Sequence, residues 1–179
     1  MTKQPIRFRT FPGLMAPVIM MIAMIAIMTI STTRHTAANE APQNKPTHIV
    51  ALGDSLTAGY MLPPGAGFPE QLTKALVAKG YSVKITNAGV SGDTSSGGLA
   101  RLDWAMSPET DLLILELGSN DALRGIDPAV TRSNLGEIIT RAKAQGVHVL
   151  IAGMLAPPNM GEDYAADFNP IFEDLAREH

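Results

Sequence analysis

The sequence predicts an α/β domain built on a parallel sheet with helices on both faces. Three observations predict it. A chain of 179 residues that is 45% hydrophobic has the length of one domain and the apolar content to bury a core. Beyond residue 47, short apolar runs alternate with helix-length segments. The runs are apolar on both faces, as strands are when they lie between two helical layers.

The elements follow in chain order. His48 to Gly53 is an apolar run closed by glycine, and the helical spacing from Phe68 to Lys79 stops at Gly80. Val83 to Thr86 is a second short strand, and Thr94 to Met106 a second helix. Leu112 to Leu117 is the strongest strand, apolar throughout but for Glu116, for which burial predicts a buried partner. Pro128 is suited to a first helical position, opening a long helix to Gln145 that Gly146 ends. Val147 to Ala152 is a fourth strand and Tyr164 to Glu178 a fourth helix. In the second helix, Trp104 reads as a core residue.

Composition excludes several classes. With no cysteine there is no disulfide scaffold, cysteine nucleophile, cysteine-held metal or lipidated amino-terminal cysteine. Lys3, Arg7, Arg9 and Arg34 are the only charges in residues 1–38. Setting them aside leaves ten basic residues against 17 acidic, a net charge of −7. An acidic body lacks the clustered cations that phosphate backbones need, so nucleic acid is excluded as a partner.

Residues 1–38 read as targeting sequence. Basic residues precede an uncharged run from Leu14 to Ile30, and the small residues Ala37 and Ala38 loosely match a signal-peptidase site. Export to the periplasm or beyond follows. The run of 17 residues just reaches membrane-spanning length, so an uncleaved anchor over residues 14–30 stays open. Residues 39–47, with Pro42 and Pro46, read as a linker, and residues 48–179 as the folded domain.

In an open parallel sheet, ligands bind beyond the carboxyl ends of the strands, and three loops leaving those ends carry unusual residues. Gly53-Asp54-Ser55-Leu56-Thr57-Ala58-Gly59-Tyr60 follows the first strand. A serine on a tight turn beside glycine is how a nucleophilic hydroxyl is held clear of its backbone, although Asp54 or Ser55 capping a helix explains the same letters. Asn87 to Gly98, rich in glycine and serine, leaves uncovered N–H groups that suit a developing oxyanion, although taken alone the loop reads more readily as a capped turn. Gly118-Ser119-Asn120-Asp121 offers an amide donor or an Asx turn. Neither a phosphate loop nor a dinucleotide fingerprint occurs.

Together these blocks resemble the SGNH, or GDSL, hydrolase family over nearly the whole body. Ser91 to Ser95, Gly98 to Leu102, Leu123 to Gly125 and Pro157 to Gly161 look most like its branch of acyl-CoA thioesterase I, lysophospholipase and arylesterase. The resemblance implies a flavodoxin-like, three-layer α/β/α fold with Ser55 as nucleophile. It implies an oxyanion hole made by the N–H groups of Ser55 and Gly92 and the amide of Asn120. The substrate would be a small acyl or aryl ester or thioester, with no metal or cofactor. A carbohydrate acetylesterase and a non-catalytic binding module are the rivals. Arg101 and Arg124 read as structural or solvated charges more readily than as ligands of an anionic headgroup. Met154 to Tyr164 would border the acyl pocket and set chain-length selectivity.

The family's closing block, Asp-x-x-His on the loop after a fifth strand, has no match before His179. His48, seven residues from Ser55 in an extended strand, stands roughly 20 Å away. His148 starts the fourth strand, His179 ends a helix and His35 lies in the leader, so none is placed as the base. The expectation is a longer enzyme that lacks its fifth strand and last helix here, leaving the fourth strand's edge open and the chain as given weakly active or inactive for want of the Asp-x-x-His block. The alternative is a complete but poorly active chain.

Overall fold

The computed structural model describes residues 45–179. The leader and nearly all of the linker read from the sequence lie outside these residues. Strand β1 (Thr47–Gly53) already begins at Thr47, inside the expected linker.

Around β1 the sheet is built of β2 (Val83–Gly89), β3 (Leu112–Glu116) and β4 (His148–Ile151), in the order β2-β1-β3-β4 with every pair parallel. Gly53 at the end of β1 stands beside Gly89 of β2 and Glu116 of β3, so three strands deliver their following loops to one rim. This is the predicted α/β architecture.

Alternation along each strand divides the core in two. Val50, Leu52, Leu113 and Leu115 face one side, where they meet Leu135, Ile138, Ile139 and Ala142 of the long helix and Phe168, Ile171, Phe172 and Leu175 near the carboxyl end. Ile49, Ala51 and Ile114 face the other, against Leu72 and Leu76. The helices are α1 (Ser55–Ala58), α2 (Phe68–Ala78), α3 (Ser95–Ala100), α4 (Leu102–Ala105), α5 (Ser119–Leu123), α6 (Pro128–Ala144), α7 (Glu162–Phe168) and α8 (Ile171–Glu178). Pro128 opens α6 as expected, with Asp127 accepting from the Ala129 N–H as its cap.

Two predicted helices are each divided. The segment from Thr94 breaks at Arg101, whose side chain is drawn off to the strand ends, and the final one breaks at Asn169 and Pro170, where proline cannot continue the ladder. Trp104 is a correction: α4 is a single turn that buries Leu102, and the indole is 81% exposed. Among the described residues, no helix is long and apolar enough to cross a membrane.

Candidate active site

Ser55 is the first residue of α1, directly beyond β1. The turn can fold back onto the sheet because Gly89 leaves room for it. A Cβ at Gly89 would stand 2.2 Å from the Ala58 nitrogen. Being at a helix start, the Ser55 N–H has no acceptor one turn back and is free to point outward.

Beside it, Asp54 is fully buried and gathers three donors. Its Oδ1 caps α1 through the Leu56 N–H at 3.0 Å, and its Oδ2 accepts from the Ser119 hydroxyl and from Asn120 Nδ2 at 3.0 Å. Asn120 is thereby held one residue from Ser55. One amide hydrogen of Asn120 is committed to this bond, which leaves the second for another acceptor. Asp121, the last residue of the same block, turns inward: buried, it accepts from the Ser95 N–H at 2.8 Å, the Ser95 hydroxyl at 2.5 Å and Thr131 Oγ1 at 3.1 Å. It anchors α5 to α3 and α6.

Gly92 occupies the third position of a turn closed by the Asp93 N–H on the Val90 carbonyl at 3.0 Å. Its φ of +82° is the signature of a type II turn, which suits glycine and rotates the preceding peptide outward. Among the described residues the Gly92 N–H has no hydrogen-bond acceptor. The turn is tied to its neighbours from two sides. Arg101 reaches Asp93 Oδ2 at 2.7 Å, the Ala88 carbonyl at 2.7 Å and the Gly53 carbonyl at 2.9 Å. Arg124, which closes α5, donates to the Gly92 carbonyl at 2.7 Å. Both arginines are therefore bonded within the fold, as their sequence reading favoured.

Glu116 ends β3 under the same turn. Oε2 accepts from Thr57 Oγ1 at 2.8 Å, but Oε1 is buried with no partner among the described residues, so the buried partner expected for this residue serves only one oxygen. Burial, with Asp54 nearby as a lesser cause, holds its carboxyl above the usual carboxylate range. A cavity of about 160 Å³ lined by Leu56, Phe68, Ile114 and Ala152 adjoins it.

The histidines lie elsewhere. His48 and His148 stand at the amino-terminal ends of β1 and β4, away from this rim. The carbonyl of His179 meets Lys143 near the end of α6, which leads into the start of β4. His35 lies outside the described residues. Among the described residues no group of three or more metal-ligating side chains occurs.

What sequence reasoning missed is the set of ties. The bonds of Asp54 to Asn120, Arg101 to the Gly53 carbonyl and Arg124 to the Gly92 carbonyl join residues 32 to 66 positions apart, and no local pattern carries that information.

Comparison with known proteins agrees with this geometry. The GDSL-like Lipase/Acylhydrolase family model matches residues 51–179. An arylesterase of Vibrio mimicus is 40% identical over 142 residues, covering 79% of this chain and 69% of that protein. A thioesterase 1/protease 1/lysophospholipase L1 of Escherichia coli is 37% identical over 131 residues, covering 73% of this chain. The chain spans 62% of that relative's length. The crystal structure of AlinE4, an SGNH-hydrolase family esterase, superposes with a TM-score of 0.72 at 42% identity, covering 75% of this chain and 72% of its own.

Proposed function

This chain belongs to the GDSL-like lipase/acylhydrolase family, a family of carboxylic ester hydrolases, and from that premise we propose that it cleaves short to medium acyl or aryl esters and thioesters at Ser55. The Ser55 oxygen bonds to the substrate carbonyl carbon, the bond to the alcohol, phenol or thiol breaks, and water then releases the acid from the acyl-enzyme. Negative charge on the carbonyl oxygen meets the N–H groups of Ser55 and Gly92 and the Asn120 amide.

The observation that carries this reading is the convergence around Ser55. The three loops beyond β1, β2 and β3 are bonded to one another through Asp54, Arg101 and Arg124, and two of them present N–H groups without acceptors. A general base is required in addition, and the described histidines stand away from this rim.

We further infer export, from the basic residues Lys3, Arg7 and Arg9 ahead of the apolar run Leu14 to Ile30. The segment Met154 to Tyr164 would set the acyl length. The Met160 methyl lies 3.5 Å from where a Cβ would stand on Gly125, which puts the segment beside the turn that closes α5.

Mass spectrometry after exposure to p-nitrophenyl butyrate tests the reading. A butyryl adduct on Ser55 that is absent from Ser55→Ala is expected. Ester turnover unchanged in Ser55→Ala would refute it, and binding without an adduct would point to the non-catalytic module.

A further inference from the structure

Arg124 carries a role that the acyl-transfer reading does not by itself assign. Its backbone closes α5, the short helix that brings Asn120 to the rim, and its guanidinium crosses to the Gly92 carbonyl at 2.7 Å. One side chain thus links the element that carries the amide donor to the turn that carries the second N–H donor.

We propose that Arg124 is a positioning residue, which holds the Gly92 turn in the conformation that aims the Gly92 N–H at the oxyanion. The proposal rests on the reading of Ser55 as nucleophile.

Two peptide groups flank Gly92. The group before it carries the N–H donor, and in a type II turn it can rotate by roughly half a turn to the type I arrangement, which carries that N–H to the opposite face. Glycine has little intrinsic resistance to this rotation, because positive and negative φ are nearly equal for it. Resistance must come from the peptide group after Gly92. That group is held at both ends: the Asp93 N–H bonds the Val90 carbonyl at 3.0 Å, and Arg124 bonds the Gly92 carbonyl. With Arg124 removed, only the first hold remains on a turn whose residues Val90 and Ser91 are exposed. Arg101 still grips the following Asp93 side chain, so the turn stays attached while the orientation of its N–H loosens.

A rival role is open to an exposed guanidinium, direct recognition of an anionic group on the substrate. The two differ in what they change. A ligand for substrate charge acts on KM, and only for anionic substrates. A residue that keeps a donor aimed acts on kcat, for a neutral ester as much as for a charged one.

The test uses the full chain with Arg124→Gln and Arg124→Lys, each assayed on the neutral ester p-nitrophenyl butyrate, with hydrogen exchange at the Asp93 amide measured in parallel. Complete loss of such a donor costs about two to three decades, so loosening it is expected to lower kcat by roughly tenfold in Arg124→Gln with KM unchanged. Arg124→Lys recovers part of that loss, and Asp93 exchange quickens several-fold in Arg124→Gln. In Gly92→Ala, where the turn is already disturbed, adding Arg124→Gln lowers kcat no further.

An Asp93 amide unmoved by Arg124→Gln overturns the proposal. So does an amide that moves while kcat does not, and so does a change confined to KM for anionic esters. If the wild-type protein, assayed with its general base in place, neither turns over the ester nor forms the Ser55 adduct, the acyl-transfer reading itself fails. The exchange rate then still decides whether Arg124 holds the turn.

Discussion

Replacing Asp54 by asparagine removes one acceptor oxygen from a group that serves three donors. Oδ1 takes the Leu56 N–H, and Oδ2 takes both the Ser119 hydroxyl and the Asn120 amide. A carboxamide has a single oxygen, so one of these positions becomes an NH₂ facing another donor. In the milder arrangement only the Leu56 bond is lost. In the harsher one both bonds to α5 go. A hydrogen bond to a buried charged group contributes about 1.5 to 3 kcal/mol, so the variant is expected to lose at least about 2 kcal/mol. That is a large fraction of the roughly 5 to 15 kcal/mol that hold a typical domain together, yet it leaves the chain folded. Urea unfolding followed by circular dichroism reads it directly: at a slope of about 2 kcal/mol per molar, the midpoint falls by about 1 M. A midpoint that stays put at unchanged slope would refute the hub assignment, because the three donors would then be satisfied without the carboxylate.

Three other outcomes are expected. Asn120→Ala lowers kcat on an aryl ester by about two to three decades, while chemical denaturation shows only the loss of about 1.5 to 3 kcal/mol that one hydrogen bond to buried Asp54 contributes. For Glu116 the sign follows from its raised value in the folded state: its favourable contribution is complete below the usual carboxylate value of 4.5 and fades as pH rises through the higher folded value. Glu116→Gln should therefore gain stability relative to wild type between pH 4.5 and neutrality, and parallel denaturation curves across that range would expose the opposite trend. Gly89→Ala forces a methyl group to within 2.2 Å of the Ala58 nitrogen, so α1 must shift; a drop of several degrees in Tm together with loss of Ser55 acylation is expected.

The strands were legible because burial on both faces writes itself as unbroken apolar runs, as in Leu112 to Leu115. The breaks within the predicted helices were not, and for different reasons. At Arg101 the interruption follows from bonds to Gly53, Ala88 and Asp93, partners outside the helix that helical spacing does not register. At Pro170 a local signal existed, since proline brings no N–H to the helical ladder, and helical periodicity outweighed it. Trp104 misled because a large aromatic on a helix is usually inward, whereas a one-turn helix has room to bury only Leu102. For the site, the three loops could be placed after successive strands, but Ser55, Gly92 and Asn120 were singled out only by the family resemblance, because each loop alone reads as well as a cap or a turn. Asp54 could be seen only as a cap, its local role, because its bonds to Ser119 and Asn120 span 65 and 66 positions.

The three mooring side chains close a ring. Asp54 joins the first loop to the third, Arg101 the first to the second, and Arg124 the second to the third. A ring of this kind gives up independent motion: no corner can wander unless the other two follow, so the rim softens as one body or stays rigid as one body. On the proposed function, the outlying segment from Met154 to Tyr164 is then free to change, and the preferred ester with it, while the scaffold beneath stays unaltered.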